Sequence, residues 1–148
     1  MRLAVKTYSD LFKNMDIVIS RAMETMGKMC KEIITMYIRD YYYDYDPDWY
    51  NRTFQFLDSC VSSHLYKSGN LYYIDIFIDY ENLHYKLRNP KLVVEWANEG
   101  LHGGYDLGSG DSHFWDESME RLVPDNMLLV ENFVSAFQRY TGCKVEKR

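Results

Sequence analysis

Apolar residues recur every three or four positions for more than thirty residues near the start of this chain, at Leu11, Phe12, Met15, Val18, Ile19, Ala22, Met23, Met26, Met29, Ile33, Ile34, Tyr37 and Ile38. That spacing is one face of an α-helix, and Asp10, Lys13, Asn14, Arg21, Glu24, Lys28, Lys31 and Glu32 occupy the other side. One helix is therefore expected over residues 8–44, ended ahead of Pro47. At a rise of ~1.5 Å per residue it reaches about 50 Å, more than a domain of 148 residues needs to enclose its own core. Such a helix either wraps the rest of the chain or extends past it to meet a neighbour, because its apolar stripe is costly to leave wet. The methionines Met15, Met23, Met26, Met29 and Met36 read first as core filling and second as an adaptable contact surface.

Beyond the helix, the run RDYYYDYDPDWY over residues 39–50 alternates tyrosine with aspartate and reads as a solvated connector with aromatic anchors or as a partner-docking strip. Phe54, Phe56 and Val61 favour β-structure within residues 53–65, and Lys67-Ser68-Gly69-Asn70 is a turn signal. Residues 71–80 then alternate, with Ile74, Ile76 and Ile78 on one face and Tyr73, Asp75, Phe77 and Asp79 on the other, which predicts a hairpin. Asn89-Pro90 starts a helix expected over residues 91–102. Residues 102–112 hold four of the eight glycines and predict a loop, with Asp111 or Ser112 placed to cap the next helix. Helices are expected over residues 114–122 and 124–140, the last burying Leu128, Val130, Phe133, Val134, Phe137 and Tyr140 and stopping at Gly142. The expected class is α+β: one domain, with a long N-terminal helix packed on a small antiparallel sheet and two or three C-terminal helices.

Charge and cysteine content narrow the function. A net charge of −5 repels a phosphate backbone, which argues against general nucleic-acid binding. Cys30, Cys60 and Cys143 show no metal-ligand spacing and read as reduced, buried thiols. No leader-like segment follows Met1, and no window approaches the roughly 20 apolar residues of a membrane span, so a cytoplasmic protein without membrane contact is expected.

Several constellations resemble chemistry. Glu95, Glu99 and His102 fall on one face if their helix is continuous, and His113, with Asp116, Glu117 and Glu120 near it, could complete a hydrolytic metal site. Glu99-Gly100 lies where that helix should end, however, and acids in a first turn equally complement a helix dipole. The glycine loop over residues 103–110 lacks the Gly-Lys-Ser/Thr ending of a phosphate cradle, follows no strand and carries Asp106. Ser62, Ser63 and His64 are adjacent along a strand and so cannot converge as a nucleophile and its base. Trp49, Trp96 and Trp115 stand at element boundaries and read as core. No cofactor is implied, and the expectation is a protein without catalytic activity.

The order of elements carries a resemblance. A long first helix is followed by Tyr45-x-Pro47-x-x-Tyr50-x-Arg52-Thr53 leading into a hairpin, then Trp96-Ala97-Asn98-Glu99-Gly100, then Phe114-Trp115 opening further helices. This resembles the minor tail and head-to-tail joining proteins of long-tailed bacteriophages, in particular the tail-completion family. Phe54 stands where that family has glycine after the threonine, and Leu101 where it has threonine after Glu-x-Gly. The resemblance implies a non-enzymatic subunit that forms a homo-oligomeric ring, a hexamer, at the neck-proximal end of the tail. It would join tail-tube to head-completion proteins, with the protein in the host bacterial cytoplasm during assembly and then in the virion. The interface candidates are Tyr42, Tyr45, Trp49, Tyr73, Phe77, Tyr105 and Leu107. Two other classes stay open: a small phage-encoded acidic inhibitor of a host defence protein, presenting Asp40, Asp44, Asp46 and Asp48, and a metal-dependent hydrolase using Glu95, Glu99, His102 and His113.

Overall fold

The computed structural model describes residues 7–43, 53–86, 88–101, 113–123 and 128–144. The first helix, α1 (Tyr8–Tyr43), spans 36 residues, about 54 Å. Its start is a reciprocal cap: the Asp10 N–H donates to the Thr7 hydroxyl at 3.1 Å and the Thr7 N–H to the Asp10 carboxylate at 3.0 Å. Val18, Ala22, Gly27, Cys30, Ile34 and Ile38 form its buried edge.

Two strand pairs follow: β1 (Cys60–Ser62) with β4 (Ile76–Ile78), and β2 (Tyr66–Ser68) with β3 (Leu71–Tyr73), both antiparallel. They are two halves of one hairpin. Cys60 faces Ile78 and Ser62 faces Ile76, whereas Tyr66 faces Tyr73 and Ser68 faces Leu71, so residues 63–65 on one side oppose only residues 74 and 75 on the other. That extra residue is a β-bulge. Ser63 closes it, its N–H donating to the Asp75 carbonyl and its hydroxyl accepting from the Asp75 N–H, both at 2.8 Å. At the tip, Gly69 takes φ +60°, the conformation a tight two-residue turn needs at its first position.

Three helices complete the α+β fold: α2 (Pro90–Asn98), α3 (Phe114–Leu122) and α4 (Leu128–Thr141). Pro90 opens α2 and the Asn89 side chain accepts from the Lys91 N–H at 2.9 Å, as the sequence implied. In α4, Leu129 joins the cluster around Ile34 and Ile38 while the Tyr140 hydroxyl lies 3.1 Å from that of Thr25, so α4 runs antiparallel along α1. The core is built from Cys30, Ile34 and Ile38 of α1, Phe56, Cys60, Ile78, Leu83, Val94 and Ala97, and Phe114 and Leu122 of α3. Phe114 meets Phe56 edge-on at 5.3 Å between ring centroids.

Five sequence expectations are revised. Residues 53–59 are turns rather than strand, because Leu57 and Ser59 donate back to the Phe54 and Phe56 carbonyls and leave no ladder. Residues 71–80 split at the bulge, and Tyr80 begins a short 3-10 turn, Tyr80–Asn82. The helix expected over residues 91–102 ends at Asn98, where Gly100 at φ +73° lets the Leu101 N–H return to the Trp96 carbonyl at 2.8 Å. Val130 of α4 is exposed and only Ala136 is fully buried there, Leu128, Phe133, Val134, Phe137 and Tyr140 being half-buried. Cys143 lies beyond α4 and is exposed, while Cys30 and Cys60 are buried as expected.

Candidate interaction surfaces

The bulge decides what the hairpin shows to solvent. Along β3 and β4 the alternation is unbroken: Tyr72, Ile74, Ile76 and Ile78 turn inward and Leu71, Tyr73, Asp75 and Phe77 outward. On the opposite side the extra residue shifts the phase, so that Cys60 and Lys67 face inward and Tyr66 outward. The inner face is fastened to α1 in two places. Ile74 fills the notch left by Gly27, where a Cβ would meet its Cδ1 at 2.5 Å. Nearer the tip, the Tyr72 hydroxyl donates to the Asp16 carboxylate and Lys67 Nζ does so at 3.1 Å, while the ammonium also sits 4.7 Å from the Tyr72 ring centroid. The Tyr72 and Lys67 hydrogen bonds hold the Asp16 carboxyl below the usual carboxylate range, and bonds to Tyr72 and Asp16 push the Lys67 ammonium up.

The outer face carries Tyr66 (46% exposed), Leu71 (62%), Tyr73 and Phe77 (44%). Tyr66 and Tyr73 stack at 5.3 Å with 13° between their rings, and the Tyr66 hydroxyl donates to Asp75 at 3.2 Å. Desolvation and the Asp75 hydrogen bond raise the Tyr66 phenol above its ordinary range. A second apolar surface lies at the start of α1. The stripe that buries Val18 and Ala22 continues toward the N-terminal end through Met15, Phe12, Leu11 and Tyr8, and there it is uncovered, with Phe12 66% and Tyr8 84% exposed.

The interface residues expected from sequence divide accordingly. Tyr73 and Phe77 stand together on the outer hairpin face. Tyr42 packs inward instead, 5.2 Å from the Phe54 ring and against the core. Tyr45, Trp49, Tyr105 and Leu107 lie outside the described residues. Sequence reasoning did not single out Tyr66 and Leu71, whose outward position depends on the bulge. It left open whether the stripe that begins at Leu11, Phe12 and Met15 is covered by the chain itself or by a neighbour.

The enzymatic candidates among the described residues do not converge on a metal site. Glu95 is exposed in mid-helix, Glu99 caps α2 and His113 opens α3 with its Nδ1 4.0 Å from Asp116; His102 lies outside the described residues. Among the described residues no three His, Cys, Asp or Glu side chains are grouped to hold a metal ion. Burial pushes the Cys30 and Cys60 thiols up, away from the thiolate a nucleophile needs. No helix among the described residues is long and apolar enough to cross a membrane.

The cap expected from Asp111 or Ser112 lies outside the described residues, but α3 has another. The Trp115 N–H donates to the Asn98 side-chain oxygen at 2.9 Å, and the Asn98 amide donates to Asp116 at 3.1 Å. Asn98, in the Trp96-Ala97-Asn98-Glu99-Gly100 segment, thus joins the end of α2 to the start of α3. These structural units all fall inside one family match: the YomN family model aligns with residues 7–139, from the cap of α1 to the last turn of α4. The chain belongs to the YomN family. This is a phage-derived family, so the phage origin expected from sequence holds, while the tail-completion assignment is finer than the match itself. No curated protein and no solved structure matches the chain significantly.

Proposed function

We propose that this phage protein is a structural subunit of the neck or tail terminus, which works by assembling with copies of itself and with tail-tube and head-completion proteins. The observation that carries the reading is the pair of uncovered apolar surfaces, on the first turns of α1 and on the outer hairpin face. Contiguous large apolar side chains on a folded chain mark contact sites, and tyrosine and phenylalanine dominate the centres of protein interfaces. Among the described residues no three His, Cys, Asp or Glu side chains are grouped to hold a metal ion, whereas large exposed apolar side chains are clustered. Sedimentation velocity on the purified protein tests the reading. A concentration-dependent rise above the monomer is expected, enhanced by an added tail-tube subunit; monomer alone at high concentration, with and without that subunit, would remove the proposal.

A further inference from the structure

We infer that the two apolar surfaces are complementary halves of one heterologous contact, the stripe Tyr8, Leu11, Phe12 and Met15 of one copy seating on the outer hairpin face of the next. The inference rests on the assembly reading above and specifies its geometry. Both surfaces are exposed in the isolated chain, they lie on different elements, and each carries four large apolar side chains. Burial of partly exposed aromatics of this kind yields on the order of 500 Å² per surface. One junction then removes about 1,000 Å² from water, at the threshold for a specific contact.

Charge separates this arrangement from self-pairing of like surfaces. Asp75 sits in the middle of the outer hairpin face, between Tyr73 and Phe77, and is exposed. A two-fold pairing of that face brings two Asp75 carboxylates together as water leaves, which is costly. The α1 stripe offers no such conflict. At 100° per residue its flanks are Ser9 and Asn14, both neutral, and Asp16, whose charge is already matched by Lys67. The outer face of a two-stranded ribbon on a helix also repeats what the chain does internally, since the inner face of the same hairpin already packs on α1 at Gly27 and Asp16. Self-pairing of the α1 stripe alone leaves the hairpin face wet. The head-to-tail mode covers both surfaces with a single kind of junction, and repeated junctions of that kind generate a ring or an open chain.

Mixing variants tests this directly. Phe12→Glu blocks the stripe, and Leu71→Glu with Phe77→Glu blocks the hairpin face while keeping the Tyr66–Tyr73 stack. All three positions are exposed, so circular dichroism and melting should match the wild type. Each variant alone is expected to sediment as a monomer, whereas an equimolar mixture forms a dimer and nothing larger, because one live junction remains. A photo-crosslinking residue at position 12 of the otherwise native chain gives an independent readout, and its product should map to residues 66–77 of another copy. If the wild type assembles but the mixture stays monomeric, if one variant alone still assembles, or if the crosslink maps to residues 8–15 of another copy, the heterologous contact is wrong and assembly stands. If the wild type never assembles, alone or with the tail-tube subunit, both readings fall.

Discussion

Gly27 and Asn98 each join two elements. At Gly27 the absent Cβ admits Ile74, whose flexible end, Cδ1 at 2.5 Å and Cγ1 at 3.3 Å, is all of that side chain that must shift for a Cβ. Gly27→Ala should therefore lose little: the helix gains about 0.5–1 kcal/mol of propensity, which offsets the displacement of Ile74. Shortening the neighbour should reveal the coupling. In urea denaturation, Ile74→Val is expected to cost less in the Gly27→Ala background than in the wild type, and equal costs in both would show that the two residues do not interact. Asn98→Ala removes the acceptor for the Trp115 N–H and should lower stability by about 1 kcal/mol, with a matching loss of amide protection at the start of α3. The local caps and stops were legible from sequence because cause and effect are adjacent, as with Asn89 ahead of Pro90 and Gly142 after α4. Asn98 was not read as a cap, because its beneficiary, Trp115, lies 17 residues downstream.

Among elements, the hairpin depends in part on solvent-exposed chemistry for its position. Its tip is tied to α1 by Asp16, Lys67 and Tyr72. The Asp16 carboxyl is held below its ordinary value of about 3.9, so its contribution is present above that pH and is lost as pH falls through the lower folded value. Lys67 is shifted upward, so its contribution is present below about pH 10.4 and is lost as pH rises through the higher folded value. Hydrogen exchange across residues 66–73 should thus be slowest between those limits, after correction for intrinsic rates, and Asp16→Asn should remove the acid limb. A protection profile unchanged by that substitution would show that the tie does not hold the tip. The alternation in β3 and β4 was plain in the sequence, as was the helical period of α1. The bulge was not, since nothing in Ser63, His64 and Leu65 distinguishes an extra residue from an ordinary strand position until the partner register is known.

At the scale of the whole molecule, the α+β arrangement followed from two periodicities, 3.6 along α1 and 2 along residues 71–78, which leave few alternatives for a chain of 148 residues. What covers α1 did not follow. The 14 residues of α4 span about 21 Å, against about 54 Å for α1, so α4 with the hairpin and α3 shields the middle and C-terminal part and leaves the first turns open. The association expected of those turns is hydrophobic. It should persist in 0.5 M salt and weaken on cooling, whereas an assembly driven by the acidic surface would respond mainly to salt.

The bulge gives the hairpin a parity. Were the ladder regular from Cys60 onward, Tyr66 would oppose Tyr72 and Lys67 would oppose Leu71, turning Tyr66 toward α1 and Lys67 to solvent. The adhesive side and the anchoring side of that strand would trade places with no change in composition. A one-residue slip in the pairing is thus enough to withdraw Tyr66 from the sticky surface and Lys67 from its anchor while the fold is kept.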